Sequence, residues 1–296
     1  MSLGNLGRLL PLTKKPPTSI GGGSSLIINL LFPFRTYADI GPKPSIKLLI
    51  VLNPTKDEYY LDLLINYETK HSYINIDEED EYDENMIKIL ENYNEDGWRP
   101  ALVTGTNVPL FGKLTGEKEG DTMVHMFRYL GTPERFKVIL VEKSGKVTVS
   151  ENIIERKAFE STVYYDYATN RLWETSATLS YIKQFTITFT ATLIVEGIIL
   201  ILFGFSIKKN WKSFIGVNLI TQILLTIVVF SAMYFAGAMA AFLIYIPFEI
   251  VILVIESKLY KKYLSEHSIR RRIIYALVAN IVSFILGLRM VSLKTI

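Results

Sequence analysis

Residues 214–235 read FIGVNLITQILLTIVVFSAMYF, a segment without a single charged side chain. A helix needs about 20 apolar residues to cross the ~30 Å hydrocarbon core of a membrane, and this segment meets that length. Three further apolar runs lie close by, at residues 185–205, 238–255 and 273–288. The four runs predict that residues 185–296 form a transmembrane bundle, with helices at about residues 185–206, 213–236, 238–256 and 273–291.

The charges between these runs predict which way the bundle faces. Residues 207–212 contain three lysines, and residues 258–272 contain six Lys or Arg side chains opposed only by Glu266. The connection at Gly237 carries no charge. Because short loops rich in Lys and Arg stay cytoplasmic, we expect both basic loops to be cytoplasmic and residues 39–184 to lie outside. The sequence therefore predicts a multi-pass protein of the plasma membrane, with the lipid bilayer as a partner.

Residues 1–38 have the layout of a signal peptide that targets the chain to the membrane. A basic stretch precedes the apolar residues 26–34, LIINLLFPF, and the small residues Thr36 and Ala38 follow where a cleavage site is expected. An uncleaved anchor is the alternative, although the apolar stretch is too short to cross a bilayer. Either interpretation delivers the following domain outward, in agreement with the charges of the loops.

Residues 39–184 have the composition of a soluble, acidic domain, with 25 acidic and 17 basic side chains. β-Prone segments bounded by turn residues predict strands at residues 46–52, 59–65, 136–141, 146–149 and 159–167. Helical spacing occurs at residues 85–93. We predict an extracytoplasmic antiparallel β-sandwich-like domain with one short helix, followed by the four-helix transmembrane bundle.

An acidic run, DEEDEYDE, lies just before the predicted short helix. Its acids are Asp77, Glu78, Glu79, Asp80, Glu81, Asp83 and Glu84. Their oxygens could hold calcium, but the ligand spacing and the glycine of an EF-hand loop are missing. The other interpretation is a solvated loop whose acids complement the N-terminal end of the helix dipole.

The sequence also excludes several kinds of chemistry. There is no cysteine, so disulfide bonds, Cys-ligated zinc and thiol catalysis are ruled out. The three histidines lie far apart, and Gly112-Lys113 lacks the spacing of a phosphate-binding loop. No catalytic, cofactor-binding or metal-binding residue is predicted, and no nucleic-acid partner is expected.

Polar side chains inside the apolar runs form the candidate site. They are Glu196, Asn218, Gln222, Glu249, Asn280 and Ser283. A carboxylate in hydrocarbon costs at least about 2.5–3.5 kcal/mol, so these groups are expected to face the interior of the bundle. Two interpretations stay open: hydrogen bonds that hold the helices together, or a path for an ion, a proton or a small substrate. Glu256, next to the basic loop, is interpreted as the interfacial partner of an ion pair.

Three segments carry a resemblance to a known group of proteins. They are ADIGPKPS at residues 38–45, IERKAF at residues 154–159 and YALVANIVSF at residues 275–284. Over residues 38–292 the chain resembles uncharacterised membrane proteins of Firmicutes, chiefly clostridia, that have a secreted N-terminal domain and four helices. The resemblance implies the topology and a bacterial host, and it implies no activity.

The function that these observations favour is a membrane-anchored extracytoplasmic module that binds or senses a protein or a small molecule. A small transporter, or an accessory of one, is the alternative that uses the intramembrane carboxylates. An intramembrane hydrolase is the third, and it is the least favoured because no HExxH, GxSxG or paired-aspartate motif occurs in the helices.

Overall fold

The computed structural model describes residues 41–52, 57–70, 72–76 and 81–292. The predicted signal segment and residues 77–80 of the acidic run lie outside this part of the chain. A β-rich domain comes first and long helices follow it. The strands are, in chain order, β1 (Ser45–Leu52), β2 (Tyr59–Ile65), β3 (Arg99–Pro100), β4 (Glu117–Glu119), β5 (Thr122–Arg128), β6 (Arg135–Glu142), β7 (Val147–Val149), β8 (Ile154–Glu155), β9 (Glu160–Asp166) and β10 (Arg171–Glu174).

The first sheet has the strand order β10-β9-β1-β5-β4. Its central pair is parallel: Ser45 lies opposite Glu160, and Leu49 lies opposite Tyr164. The other neighbours in this sheet are antiparallel. The prediction of a purely antiparallel domain is therefore wrong for β1 and β9. Between these two strands the chain passes through the second sheet, so β9 can enter beside β1 in the same direction.

The second sheet has the order β3-β2-β6-β7, with β8 also paired to β6, and all its pairs are antiparallel. A short helix, α1 (Glu84–Glu91), packs with it. One core contains Ile46 and Leu48 of β1, Leu61 and Leu63 of β2, and Leu90 of α1. Every residue of β2 is buried, which explains why its sequence, YYLDLLI, reads as a nearly continuous apolar run. The predicted two-layer, strand-rich domain with one short helix is thus confirmed.

Three long helices follow: α2 (Ala177–Leu202), α3 (Ile207–Tyr263) and α4 (Ile269–Ser292). Within the described part of the chain, α2 and α3 are the two segments long and apolar enough to cross a membrane. The coarser prediction, long apolar helices after a strand-rich domain, is confirmed. Two segments, however, rather than the predicted four, meet this requirement.

The first long helix begins earlier than the sequence predicted. α2 starts at Ala177 rather than at residue 185. The side chain of Ser176 accepts a hydrogen bond of 3.3 Å from a backbone N–H of the first turn, so this start is capped. The last strand ends at Glu174, and the β-rich domain is correspondingly shorter than residues 39–184.

The two basic loops are mostly helical, which also differs from the prediction. α3 begins at Ile207 and ends at Tyr263, and α4 begins at Ile269. Lys and Arg favour helices, so a basic stretch does not by itself end one. The connections shrink to residues 203–206 and 264–268.

The helix α3 is interrupted at Gly237. A straight helix of 57 residues would be about 85 Å long. Gly237 has φ 83° and ψ 177°, a conformation outside the helical region that favours glycine. We name the two parts of α3 the first arm, residues 207–236, and the second arm, residues 238–263.

The two arms lie side by side in opposite directions. Asn218 on the first arm is hydrogen-bonded to Tyr260 on the second. Further along the first arm, Thr221 is bonded to Glu256, which lies further back on the second. The partner's residue number on the second arm therefore falls as the residue number on the first arm rises, which is the pattern of two antiparallel helices. Gly237 is therefore the turn of a helical hairpin.

The helices expose apolar side chains and bury polar ones. Leu202 and Phe235 are 76% and 75% exposed, respectively. Glu196 and Glu256 are only 1% and 2% exposed. A domain surrounded by water buries charged side chains only rarely. The distribution is the one expected of helices surrounded by an apolar solvent.

Candidate functional site

Two buried carboxyl groups, Glu196 and Glu256, lie where the long helices meet, and we name them the carboxyl pair. Glu256 on the second arm accepts a hydrogen bond of 2.5 Å from the Thr221 hydroxyl at Oε1. Its Oε2 accepts one of 2.5 Å from the Asn280 amide on α4. Both oxygens are thus bonded to neutral donors inside the bundle. The interpretation of Glu256 as an interfacial ion-pair partner is wrong.

Glu196 on α2 is bonded differently. Its Oε1 accepts a hydrogen bond of 3.2 Å from the Ser283 hydroxyl on α4. The Asn218 amide of the first arm lies beside the same carboxyl. Within the described residues, the buried Oε2 of Glu196 and Oδ1 of Asn218 have no hydrogen-bond partner. Glu196 is therefore the less satisfied member of the carboxyl pair.

The partners of the carboxyl pair show how close its members lie. On α4, Asn280 donates to one carboxyl and Ser283 donates to the other. On the first arm, Thr221 donates to one and Asn218 lies beside the other. Residues three positions apart on a helix face are about 5–6 Å from each other. Since both helices show this spacing, the two carboxyls are about one helical turn apart.

Buried tyrosines continue the polar cluster toward the basic connections. Asn218 donates a hydrogen bond of 2.7 Å to the Tyr260 hydroxyl and one of 3.1 Å to the Phe214 carbonyl. The Tyr260 and Tyr275 rings meet edge to face with centroids 5.2 Å apart. Both rings are completely buried. The cluster is therefore enclosed by aromatic side chains on this side.

The structure brings together four of the six residues predicted for the site: Glu196, Asn218, Asn280 and Ser283. The other two lie at its edge. Gln222 is half-buried and donates a hydrogen bond of 3.3 Å to the Thr188 hydroxyl on α2. Glu249 is half-buried and has the Tyr245 hydroxyl as its hydrogen-bonding neighbour.

Sequence reasoning missed Thr221, Glu256 and Tyr260. The sequence does contain a signal for Thr221 and one for Glu256. Thr221 lies three positions after Asn218 and shares its helix face. Glu256 lies seven positions after Glu249, two turns further along one face. Nearness to the basic loop in the sequence outweighed this spacing, although the helix continues past Glu256 and buries it.

A second feature joins the β-rich domain to the helical hairpin. The backbone N–H of Phe159, just before β9, donates a hydrogen bond of 2.8 Å to the Tyr234 carbonyl. Glu160 Oε1 accepts one of 3.2 Å from the backbone N–H of Ala238. A Cβ on Gly237 would lie 2.6 Å from the same oxygen. The start of β9 thus sits directly on the turn of the hairpin.

The described part of the acidic run serves the short helix. Asp83 accepts hydrogen bonds from the backbone N–H groups of Asn85 and Met86, at 2.8 and 3.1 Å, and so caps α1. Glu84 forms an exposed ion pair of 3.5 Å with Lys88. Among the described residues no group of three or more His, Cys, Asp or Glu side chains could hold a metal ion. Asp83 and Glu84 thus act at the helix end, whereas the calcium interpretation stays a prediction because residues 77–80 lie outside the described part of the chain.

Two titratable groups are buried in the β-rich domain. Asp62 accepts hydrogen bonds from the backbone N–H groups of Leu63, Leu102 and Val103, and burial raises its pKa to about 7. His125 Nε2 lies 3.1 Å from the Tyr59 hydroxyl, and burial lowers its pKa to about 4. Because neither group reaches the surface, we assign them to the stability of the domain.

No protein-family model matches this chain, and neither a curated protein nor a solved structure does. Function is therefore inferred from two features of the molecule. They are the carboxyl pair inside the helices and the contact between β9 and the hairpin turn.

Proposed function

We propose that this chain is an integral protein of a bacterial plasma membrane whose β-rich domain lies outside and binds or senses a ligand. In this arrangement α2, the two arms of α3 and α4 each cross the bilayer. Their exposed apolar surface and their buried polar groups support it. The ligand is a protein or a small molecule that the outer domain recognises.

The positions of the basic connections support this orientation. Lys209, near the start of α3, forms an ion pair of 2.8 Å with Glu266 in the connection before α4. Asn210 Oδ1 accepts a hydrogen bond of 2.8 Å from the backbone N–H of Ser265. Both basic ends therefore lie together, at the end of the arms opposite the hairpin turn at Gly237. Positive charges retained in the cytoplasm leave the turn and the β-rich domain outside.

The contact between β9 and the hairpin turn is the observation that carries the sensing role. β9 is an interior strand of the first sheet, between β10 and β1, so it is not an edge strand. Its first residue, Glu160, bonds the first residue of the second arm, Ala238. A change in the sheet on ligand binding is thereby transmitted to the second arm, which carries Glu256 of the carboxyl pair.

The orientation can be measured with introduced cysteines, because the chain has none of its own. Ser144→Cys lies in the exposed turn between β6 and β7, and Lys262→Cys lies exposed at the basic end of the second arm. In intact spheroplasts an impermeant maleimide should label Ser144→Cys at once and Lys262→Cys only after permeabilisation. The reverse labelling pattern would contradict the proposed orientation.

The coupling contact can be measured by hydrogen exchange on the full-length protein in detergent. Glu160→Ala removes the acceptor of the Ala238 N–H, whereas Glu160→Gln keeps an oxygen there. Loss of one such bond costs about 1 kcal/mol, or roughly fivefold in local exchange rate. We expect faster exchange around Gly237 and β9 in Glu160→Ala alone. Equal exchange in both variants would show that this bond does not couple the two parts.

A small transporter, or an accessory of one, is the second candidate, and the carboxyl pair is the observation that favours it. Acidic groups inside membrane helices commonly mark the path of an ion or a proton. Cation uptake by proteoliposomes of the purified protein, lost in Glu196→Gln and retained in Thr190→Val at an exposed position of α2, would support this function. Uptake unaffected by both changes would exclude a role of the carboxyl pair.

A further inference from the structure

We propose that the carboxyl pair binds one exchangeable proton and that Glu196 carries it. The inference rests on the proposed location of the bundle in a membrane, and it specifies the ligand of the site. Its basis is the unequal bonding of the two carboxyls, the charges around them and the number of free oxygens.

The unequal bonding points to Glu196 as the carrier. Both oxygens of Glu256 accept hydrogen bonds from neutral donors, as an ionised carboxylate does. Glu196 accepts one hydrogen bond of good geometry, at Oε1 from Ser283, and the Asn218 amide is a more distant neighbour of the same carboxyl. Its buried Oε2 has no hydrogen-bond partner among the described residues. A proton on Oε2 turns this oxygen from an unsatisfied acceptor into a donor. On Glu256 both oxygens already have a donor, so a proton there would satisfy no unpartnered atom.

The carboxyl pair is surrounded by acidic side chains and has no basic partner within the described part of the chain, which favours the binding of a cation. The titratable side chains that interact with Glu196 are Glu249, Glu256 and Tyr260 on the second arm and Tyr275 on α4. All of these are acids, and no described ion pair joins either carboxyl to a base. Two adjacent negative charges in a shielded interior repel each other strongly. One proton removes one of the two charges.

The number of free oxygens favours a proton over a metal ion. A hard metal cation is held by several oxygen ligands at once. In the described cluster, three buried oxygens lack a partner: Oε2 of Glu196, Oδ1 of Asn218 and the Tyr275 hydroxyl. The oxygens of Glu256 are already occupied. Three unpartnered oxygens are fewer than the about six to eight that calcium takes, whereas one proton needs a single oxygen to bind and a single acceptor.

A line of titratable groups on the second arm leads from the carboxyl pair toward the outside of the bundle. Tyr245, Glu249, Glu256 and Tyr260 follow one another at spacings of four, seven and four positions, which places them on one helix face. Glu249 is half-buried, so the line approaches the outside of the bundle there. At the other end Tyr260 reaches Asn218, beside Glu196. Each of these side chains can accept or release a proton.

The probe for this site is dicyclohexylcarbodiimide, an apolar reagent that reacts with protonated carboxyl groups. The carboxyl oxygen bonds to the central carbon of the carbodiimide while the acid proton moves to a nitrogen. The resulting O-acylisourea rearranges to a stable N-acylurea, which mass spectrometry locates. The wild-type protein in detergent is labelled across about pH 5–9, a series that starts just above the ordinary pKa of a glutamate, about 4.3, and therefore detects a carboxyl that keeps its proton at higher pH. No variant is needed for this first measurement.

We expect labelling of Glu196 but not of Glu256, with a rate that falls about tenfold per pH unit above its midpoint. Glu256→Gln should lower that midpoint by about one pH unit or more, because it removes the neighbouring charge. Thr190→Val, at an exposed position of α2 outside the cluster, is the matched control and should leave the midpoint unchanged.

Three outcomes would overturn the proposal. Glu196 could stay unlabelled at every pH while the half-buried Glu249 reacts. The rate of labelling at Glu196 could be independent of pH. Sodium chloride could protect Glu196 at constant pH where choline chloride does not, which would assign the site to a metal ion. None of these results bears on the orientation in the membrane, which the cysteine labelling measures separately. The proposed orientation and the proposed proton site can therefore be refuted independently of each other.

Discussion

Replacing Gly237 by Ala reveals whether α3 is a hairpin or a single helix. In a continuous helix this change would stabilise the protein by about 1 kcal/mol, because Ala favours a helix more than Gly does. At a turn with φ 83° and ψ 177° the change must destabilise it, since residues with a Cβ rarely adopt that conformation. The sign of the change in the free energy of unfolding therefore separates the two structures.

The size of the effect follows from two contributions. The backbone strain of a non-glycine residue in this conformation is of order 1–3 kcal/mol. The new Cβ would also lie 2.6 Å from Glu160 Oε1 and 2.9 Å from Phe159 Cδ1. Glu160 must then move away from the Ala238 N–H, which loses a hydrogen bond worth about 1 kcal/mol. We expect a total loss of about 2–4 kcal/mol.

The assay is unfolding of the full-length protein in mild detergent by added dodecyl sulfate, followed by circular dichroism. Gly216→Ala is the matched control, because a Cβ there meets nothing within 4 Å inside the first arm. It should be neutral or stabilising by up to about 1 kcal/mol. The reasoning is refuted if Gly237→Ala is as stable as the wild type while Gly216→Ala behaves as expected.

Three smaller changes examine other parts of the molecule. Burial lowers the pKa of His125 to about 4, below the ordinary value of 6.5, so the folded state binds fewer protons than the unfolded state between these values. The stability of the wild type relative to His125→Gln should thus fall by about 3 kcal/mol as the pH drops from about 6.5 to 4, and a constant difference across the pH series would contradict this. Asp83→Ala removes the cap of α1 and should cost about 1 kcal/mol in thermal unfolding, with Asp83→Asn near the wild type; equal losses would argue against capping. Asn280→Leu deprives Glu256 of a donor and should cost about 0.6–2 kcal/mol in dodecyl sulfate, and an unchanged midpoint would mean that this bond is not formed.

Local patterns in the sequence were enough to find the long elements. The runs IKLLIVL and YYLDLLI are strands because they are apolar, β-prone and bounded by turn residues. β5, TMVHMFR, was missed because a buried histidine interrupts its apolar residues, and that histidine is accommodated by tertiary contacts such as the one with Tyr59. The parallel pairing of β1 with β9 joins residues far apart in the chain, and no local pattern encodes it.

The bundle shows the same limit. The polar residues were visible because each is rare in an apolar run, but their grouping depends on how four helical segments are arranged. Thr221 reaches Glu256 only because Gly237 folds α3 back on itself. The sequence could predict that the carboxyls face inward, and it could not predict which donors they meet.

The carboxyl pair is also where structural and functional roles can be separated by stability alone. Glu256 uses both oxygens as acceptors, so Glu256→Gln would set an NH₂ group against one of its donors and should cost about 1–3 kcal/mol. Glu196 uses one oxygen, so Glu196→Gln would keep the Ser283 bond and would add a donor where none is present. If both carboxyls only hold the helices together, both changes should weaken the bundle in dodecyl sulfate to a similar degree. If Glu196 is retained to carry a proton, Glu196→Gln should be as stable as the wild type, or more stable, while abolishing carbodiimide labelling at this position. Residues that serve function at the expense of stability behave in this way.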